Sequence, residues 1–391
     1  MANPAAPSSK PTEQVVRIAL TRFFSCATLH FFEPTMQKCC DKGPPEEKMN
    51  LASSIASTVA TTAALFSPPQ PTQDNKNAFN PQISVVGDFA IQLDRNDGEK
   101  RRADFREIEF GFAADADPML RVELYYSIVK EDDETKIELE EGFGRYQGIG
   151  RGISMKFGKL AGAIGRVQRN HVDALNFMDY PLVIQDVLGE EGFRHPGASL
   201  SYLFPGNRFM EATVEMFDVQ EDGPVFGGTA VDDPAWLGHF RTFHDFSDSL
   251  SAQFGATYMR GPDLGGGNAK VTGLDFTMKY QPEGASASWV LESEALWAKP
   301  SDYSDKTFGW FGRATLNLPN RWSFTGGYDY SELPGTSDVR KGWLFGATFR
   351  ATEFHRWRVE YQSLSSNFGN DRRYLTLQFQ WVIGAHPAHV Y

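Results

Sequence analysis

The sequence predicts an all-β protein, a transmembrane antiparallel β-barrel of about sixteen strands. Three observations support this prediction: apolar and polar residues alternate with a period of two, aromatic residues and glycine are frequent, and no apolar run is long enough for a transmembrane helix. The 391 residues include 31 Phe, 13 Tyr, 8 Trp and 36 Gly. A polar average combined with many aromatic residues is typical of a membrane β-barrel.

The last predicted strand shows the alternation most fully. One face carries the apolar residues Leu375, Leu377, Phe379, Trp381 and Ile383, and the other carries the polar residues Thr376, Gln378 and Gln380. The same period predicts strands near residues 82–94, 106–116, 119–130, 136–147, 152–165, 197–206, 208–218, 236–246, 249–262, 269–282, 285–300, 306–319, 320–333, 339–353, 354–366 and 372–384. An even number of strands near sixteen is usual for a bacterial barrel.

The polar faces and the connections distinguish a membrane barrel from a soluble β-sandwich, which is the alternative fold. Charges and amides recur in mid-strand on the polar face, as expected for a lumen surrounded by lipid. Tight turns are predicted at Asp117-Pro118, Pro205-Gly206-Asn207, Pro282-Glu283-Gly284 and Pro319-Asn320. Longer connections are predicted at 95–105, 131–135, 166–196, 219–235, 263–268, 301–305, 334–338 and 367–371. Short turns on one rim and long loops on the other favour the barrel and place both termini on the periplasmic rim.

The longest connection, which we name the long loop, is predicted at residues 166–196. It carries a set of large apolar residues: Phe177, Met178, Tyr180, Leu182, Val183, Ile184, Val187 and Leu188. A loop this apolar must pack on a surface, and the lumen wall is the surface available in a wide barrel. We therefore expect the long loop to fold into the lumen. The alternative is a lid, or a contact between subunits, above the membrane.

The net charge and the N-terminal region limit the class of protein further. The 38 Lys and Arg residues against 50 Asp and Glu give a net charge of −12, which argues against a nucleic acid partner. Residues 1–78 are expected to be a leader with a weak signal peptide and a linker, and the alternative to the signal is an Ala/Ser-rich linker; a further hypothesis places the true start at Met49. The barrel is then residues 79–391. Because Cys26, Cys39 and Cys40 all lie in the leader, no disulfide and no cysteine metal site is expected in the barrel.

Several segments resemble a known group of bacterial proteins. They are Arg166-Val-Gln-Arg-Asn-His171, the run from Phe177 through Asp179-Tyr-Pro-Leu-Val-Ile-Gln-Asp to Gly192, and Gly197-Ala-Ser-Leu-Ser-Tyr-Leu-Phe-Pro205. The opening Asn80–Phe89 and the ending Ile383–Tyr391 are similar to the same group. It comprises Gram-negative outer-membrane porins related to the phosphate-selective porins O and P, some of whose members are labelled zinc-regulated TonB-dependent outer-membrane receptors.

The resemblance implies an outer-membrane channel or receptor, with a homotrimer as the usual assembly of the porin branch. It also implies that the aromatic end of the last strand is recognised by the barrel assembly machinery. A TonB-dependent transporter has a plug domain before a barrel of twenty-two strands. Because only leader and linker are expected before Ile83, passive diffusion is favoured over active uptake.

The candidate pore residues fall into two charged groups. The long loop supplies the expected constriction: Arg166, Arg169, His171, Asp173, Asp179, Asp186, Glu190 and Glu191. The polar faces of the last strands supply cations on the lumen wall: Arg313, Arg350, Arg356 and Arg358. Opposed acidic and basic rows would create a transverse field that sorts solutes by charge. The alternative is that the charges pair with neighbours on the wall, as Arg121 can with Glu123 or Glu109. Acids interleaved with the cations predict weak ion selectivity.

No cofactor, metal site or catalytic centre is predicted. The pairs His386 with His389 and His171 with His195 lack a convincing third ligand. No Gly-x-Ser-x-Gly, His-Glu-x-x-His or phosphate loop occurs, and residues clustered on one strand alternate between its faces, which argues against a membrane lipase. The sequence therefore predicts a porin that passes small hydrophilic solutes or ions through the outer membrane. The alternative is a receptor, or a barrel related to metal uptake, whose lumen the long loop blocks.

Overall fold

The computed structural model describes residues 81–94, 102–131, 134–228, 233–369 and 371–384. The predicted leader 1–78, the start at Met49, the pair His386 and His389, and the end of the chain at Tyr391 lie outside these residues. Among the residues described, no helix is both long enough and apolar enough to cross a membrane.

Sixteen antiparallel strands form one closed barrel in which each strand pairs with its sequence neighbours and β1 pairs with β16. The strands are β1 (Gln82–Asp94), β2 (Arg102–Asp117), β3 (Leu120–Glu131), β4 (Glu134–Tyr146), β5 (Ile153–Ala161), β6 (Arg194–Leu203), β7 (Phe209–Phe217), β8 (Ala235–Ser247), β9 (Leu250–Pro262), β10 (Asn268–Tyr280), β11 (Ser288–Lys299), β12 (Thr307–Asn317), β13 (Trp322–Glu332), β14 (Val339–Arg350), β15 (His355–Ser366) and β16 (Arg372–Gly384). The fold predicted from the alternation is confirmed.

The two faces of the barrel differ in chemistry. Large apolar side chains are exposed on the outer face, for example Leu274 at 56% and Trp343 at 55%. Aromatic residues of neighbouring strands contact one another there, with 4.7 Å between the ring centroids of Tyr328 and Trp343. Polar side chains of the same strands point inward and are buried. An apolar exterior that surrounds the whole barrel is stable against lipid hydrocarbon and not against water.

The connections alternate in length less regularly than the sequence predicts. The turn after Asp117 is tight, and its carboxylate accepts hydrogen bonds from the backbone of Met119 and Leu120 at 2.7 and 3.0 Å. The predicted long connection 131–135 is wrong, because β3 and β4 stay paired as far as Glu131 and Glu134. The tight turn predicted at Pro282-Glu283-Gly284 is present, because the Ala285 amide donates to the Pro282 carbonyl at 2.9 Å, but it lies within a longer connection between the end of β10 at residue 280 and the start of β11 at residue 288.

The long loop occupies residues 162–193, between β5 and β6, and contains the helix α1 (Leu182–Leu188) and two 3-10 turns. Its apolar side chains belong to the main core of the protein, which joins loop residues to inward-facing strand residues. That core includes Ile164, Val183, Ile184, Val187 and Phe193 from the loop and Phe217, Leu237, Met259, Leu296 and Phe311 from the strands. The core therefore lies inside the barrel, between the long loop and the wall.

Candidate functional site: the lumen and the long loop

The first part of the long loop crosses the lumen by backbone hydrogen bonds to wall residues. The Ala163 amide donates to Glu215 of β7 at 2.7 Å, and the Gly165 amide donates to Thr257 of β9 at 3.2 Å. The chain turns at Gly165, where φ is +58° and favours glycine. The backbone amides of Arg166 and Val167 then both donate to Oε1 of Glu294 on β11, at 2.7 and 2.6 Å.

The middle of the loop brings His171 against β2 and β4. Its Nδ1 lies 2.8 Å from Oε2 of Glu109 and 2.9 Å from Oε2 of Glu140, and its Nε2 lies 3.0 Å from Oε1 of Glu141. Burial alone would lower the pKa of His171, but the carboxylates of Glu109 and Glu140 outweigh it and raise that pKa well above its usual range. The ring of Tyr125 lies beside the imidazole, at 5.0 Å between centroids.

The four arginines predicted on the lumen wall all meet the loop or a neighbouring acid. Arg313 pairs with Asp329 at 2.7 Å and lies over the ring of Phe177. The other three contact the segment from Asp173 to Asn176, by these bonds: Arg350 donates to Asn176 Oδ1 at 3.2 Å, Arg356 to the Asp173 carbonyl and Arg358 to the Leu175 carbonyl at 2.7 Å. These cations fasten the loop along β12, β14 and β15.

The acidic residues predicted in the loop have different surroundings. Asp179 pairs with Arg106 of β2, and Asp186 pairs with Arg340 of β14. Glu190 and Glu191 are exposed near the end of the loop. Arg121 and Glu123 pair within β3 at 3.1 Å, as one of the sequence alternatives expects. Sequence reasoning did not find the two basic partners of the loop, Arg106 and Arg340.

Helix α1 is held by its apolar side chains. Val183 and Ile184 are both 0% exposed, and the helix packs on β11, β12 and β13. Gly309 on β12 leaves room for it, since a Cβ added there would lie 2.5 Å from Cγ2 of Val183. A helix of seven residues cannot bury its apolar surface by itself, so the wall completes a core that the loop lacks alone.

The predicted constriction residues Arg166 and Arg169 are directed to another part of the wall. Arg166 Nε lies 3.9 Å from Glu292 of β11. Burial and the neighbouring Arg241 lower the pKa of Arg169 to about 10, against the opposite effect of Glu211, so this arginine keeps its charge near neutral pH. The surroundings of Arg169 thus combine both signs of charge and lie along β7 to β10.

Comparisons with known proteins agree with this architecture. No family model matches the chain. A curated protein of Aquifex aeolicus (strain VF5), described only as uncharacterized, is 25% identical over 395 aligned residues that cover 81% of each protein. An anion-selective porin from Comamonas acidovorans has a TM-score of 0.55 at 11% identity, covering 78% of this chain and 99% of the porin.

Two further solved structures have the same fold. Salmonella typhi OmpF has a TM-score of 0.55 at 12% identity, covering 79% of this chain and 99% of its own. The outer membrane channel DcaP of Acinetobacter baumannii has a TM-score of 0.53 at 11% identity, covering 78% and 96%. The closed sixteen-strand barrel and its apolar exterior define the chain as a bacterial outer-membrane β-barrel with the porin architecture.

Proposed function

We propose that this protein is a porin-type channel for passive diffusion of small hydrophilic solutes or ions, and that the long loop narrows it. The observation that carries the proposal is a polar, charged inner wall crossed by an internal loop that is fastened to several strands. A wall of this chemistry suits water and solutes, and an internal loop reduces the cross-section without closing the barrel. We further propose that the protein assembles as a homotrimer, that it belongs to the porin group related to the phosphate-selective porins O and P, and that it has no enzymatic role.

The passage itself is proposed to run between Arg169 of the long loop and the wall formed by β7 to β10. The wall here carries Arg241, whose Nε lies 2.8 Å from Glu211, and Asp275 of β10. Cations and anions are mixed within this short stretch. We therefore propose weak ion selectivity, as the sequence predicts, because neither charge dominates the field.

A second candidate function is a receptor with a blocked lumen. One observation favours it: the wall arginines Arg313 and Arg358 are each only 1% exposed although they face the lumen. Burial this complete means that the long loop covers the wall of β12 and β15 closely. If the long loop covers the wall as closely around the whole circumference of the lumen, solutes cannot pass.

Single-channel conductance of the refolded chain in a planar bilayer tests the two candidates. The intact chain is compared with a variant that lacks residues 172–190. Steady openings of the intact chain, with larger ones after the deletion, are the result expected of a porin narrowed by its loop. Silence of the intact chain, followed by conductance after the deletion, supports the blocked receptor and contradicts the diffusion proposal.

Arg169→Glu is expected to shift the reversal potential in a salt gradient toward cation preference, by about threefold in permeability ratio. The substitution replaces a positive charge in the proposed passage by a negative one, whereas the wall charges stay in place. Arg208→Glu makes the same change in an exposed turn between β6 and β7 and serves as the control. Equal reversal potentials in both variants would show that solutes do not pass by Arg169.

A further inference from the structure

His171, Glu109 and Glu140 form a compact group of three potential metal ligands. One ligand atom from each residue lies within 4.8 Å of the other two. The three residues come from the long loop, β2 and β4, and they are 3%, 2% and 9% exposed. Sequence reasoning compared His171 only with His195 and predicted no metal site. It did not pair His171 with glutamates that are distant in the chain.

The orientation of the imidazole matches that of a metal ligand. Nδ1 faces the two carboxylates of Glu109 and Glu140, while Nε2 faces the third carboxylate, that of Glu141, at 3.0 Å. Histidines that bind metals through one nitrogen usually donate the other N–H to a carboxylate, which fixes the ring and its tautomer. Glu141 stands in the position of that outer carboxylate.

A β-bulge explains how two consecutive glutamates reach the same imidazole. In the pairing of β3 with β4, Tyr125 is opposite Glu141 and Tyr126 is opposite Leu139, so Glu140 has no partner residue. A bulge of this kind turns the extra residue toward the face that its neighbour already occupies. Both Glu140 and Glu141 therefore face the lumen, which a strict alternation would not allow.

The charge and the hydrogen bonding of the group favour a cation. Three buried carboxylates surround one histidine, and Nε of Arg194 lies 4.0 Å from Oε1 of Glu141. Oε1 of Glu109 is buried and has no hydrogen-bond partner among the residues described. A buried carboxylate oxygen without a partner is costly unless a cation compensates for it.

We propose that this group binds one divalent first-row transition metal ion, with His171 Nδ1, Glu109 and Glu140 as ligands and Glu141 orienting the histidine. Imidazole nitrogen and carboxylate oxygen are both donors that Zn²⁺ accepts, whereas Ca²⁺ needs six to eight oxygen ligands. Without the metal, Nδ1 of the imidazole lies against the same two carboxylates, at 2.8 and 2.9 Å. The ion takes the place of its Nδ1 proton and links the long loop to β2 and β4.

The test measures zinc binding to the full chain by competition with a chromophoric chelator. The chain is first folded in detergent and stripped of metal with a second chelator. Wild type is expected to bind one Zn²⁺ per chain at this site. His171→Ala and Glu109→Gln should each weaken binding by more than tenfold, and Glu141→Gln by about tenfold because only the orientation of the ring is lost. Glu211→Gln removes a lumen carboxylate outside the group and should leave the affinity unchanged.

Electron paramagnetic resonance of the wild-type chain with one equivalent of Cu²⁺ gives a second readout that needs no variant to fold. Copper binds such donors most tightly of the divalent series, and coupling to one imidazole nitrogen is expected. Absence of zinc binding, equal affinities in wild type and in folded His171→Ala and Glu109→Gln, or a copper signal without nitrogen coupling would each overturn the proposal. Neither readout requires conductance, so the result is independent of the channel proposal.

Discussion

Glu294→Ala is expected to release the beginning of the long loop from β11. The carboxylate accepts two backbone hydrogen bonds, from Arg166 and Val167, and the side chain is 3% exposed. A buried donor that is left without its partner costs about 1–3 kcal/mol, so the loss of both hydrogen bonds should cost about 3 kcal/mol. Amide hydrogen exchange at residues 166 and 167 should then accelerate about 100-fold.

Two neighbouring substitutions are the controls for this expectation. Glu294→Gln keeps a carbonyl oxygen at the same place and should retain most of the protection of the two amides. Glu292→Ala removes the same side chain two residues away, where Oε1 of the carboxylate lies 3.9 Å from Nε of Arg166. If Glu292→Ala accelerates exchange as much as Glu294→Ala, the two backbone hydrogen bonds are not what holds the loop.

Gly309→Ala is expected to push helix α1 away from the wall. The added methyl group would lie 2.5 Å from Cγ2 of Val183 and 2.9 Å from its Cβ, and neither the strand nor the buried helix can yield without losing contacts. Overpacking of this kind costs about 1–3 kcal/mol. Amide exchange across Leu182–Leu188 should accelerate roughly tenfold or more, and the conductance of the proposed channel should become noisier.

Gly346→Ala is the matched control, since it adds the same methyl group in the next strand but one. The nearest atom there, Oε2 of Glu360, would be 3.7 Å away, which is an ordinary contact. Exchange in α1 should be unchanged. If neither variant changes amide hydrogen exchange in α1 relative to wild type, the helix does not pack against β12 as closely as the structure has it.

The barrel was predictable because the alternation of apolar and polar residues repeats in every strand. The ends of the two strands that adjoin the long loop were not predictable. Residues 162–165 continue the apolar pattern of β5, yet their amides leave the sheet to reach Glu215 and Thr257. At the other end, Arg194 and His195 remain paired with β5 although Pro196 follows them. Both errors arise because hydrogen bonds to distant wall residues decide where pairing stops.

The candidate site was predictable in part. The apolar residues of the long loop identified it as a segment that must pack against another surface of the protein. Its charged residues were also identified from the sequence as one group of candidate pore residues. Their partners were not found, because they lie on strands that are distant in the chain and because one of them, Arg106, lies at a β-bulge. In the pairing of β1 with β2, Asp88 is opposite Glu107 and Phe89 is opposite Phe105, which leaves Arg106 as the extra residue. No sequence period shows which residue is extra.

The two bulges also bear on how such a barrel can change over generations. Each is one residue more than its partner strand requires, so the deletion of a single codon in β2 or β4 would restore a regular ladder and leave the remaining strand pairs intact. The deletion of the extra residue would remove Arg106, or one of the glutamates next to His171, and with it a contact that holds the long loop, while the neighbouring residues keep their faces. A lineage could thus detach or reattach its internal loop in one mutational step while keeping the barrel that carries it.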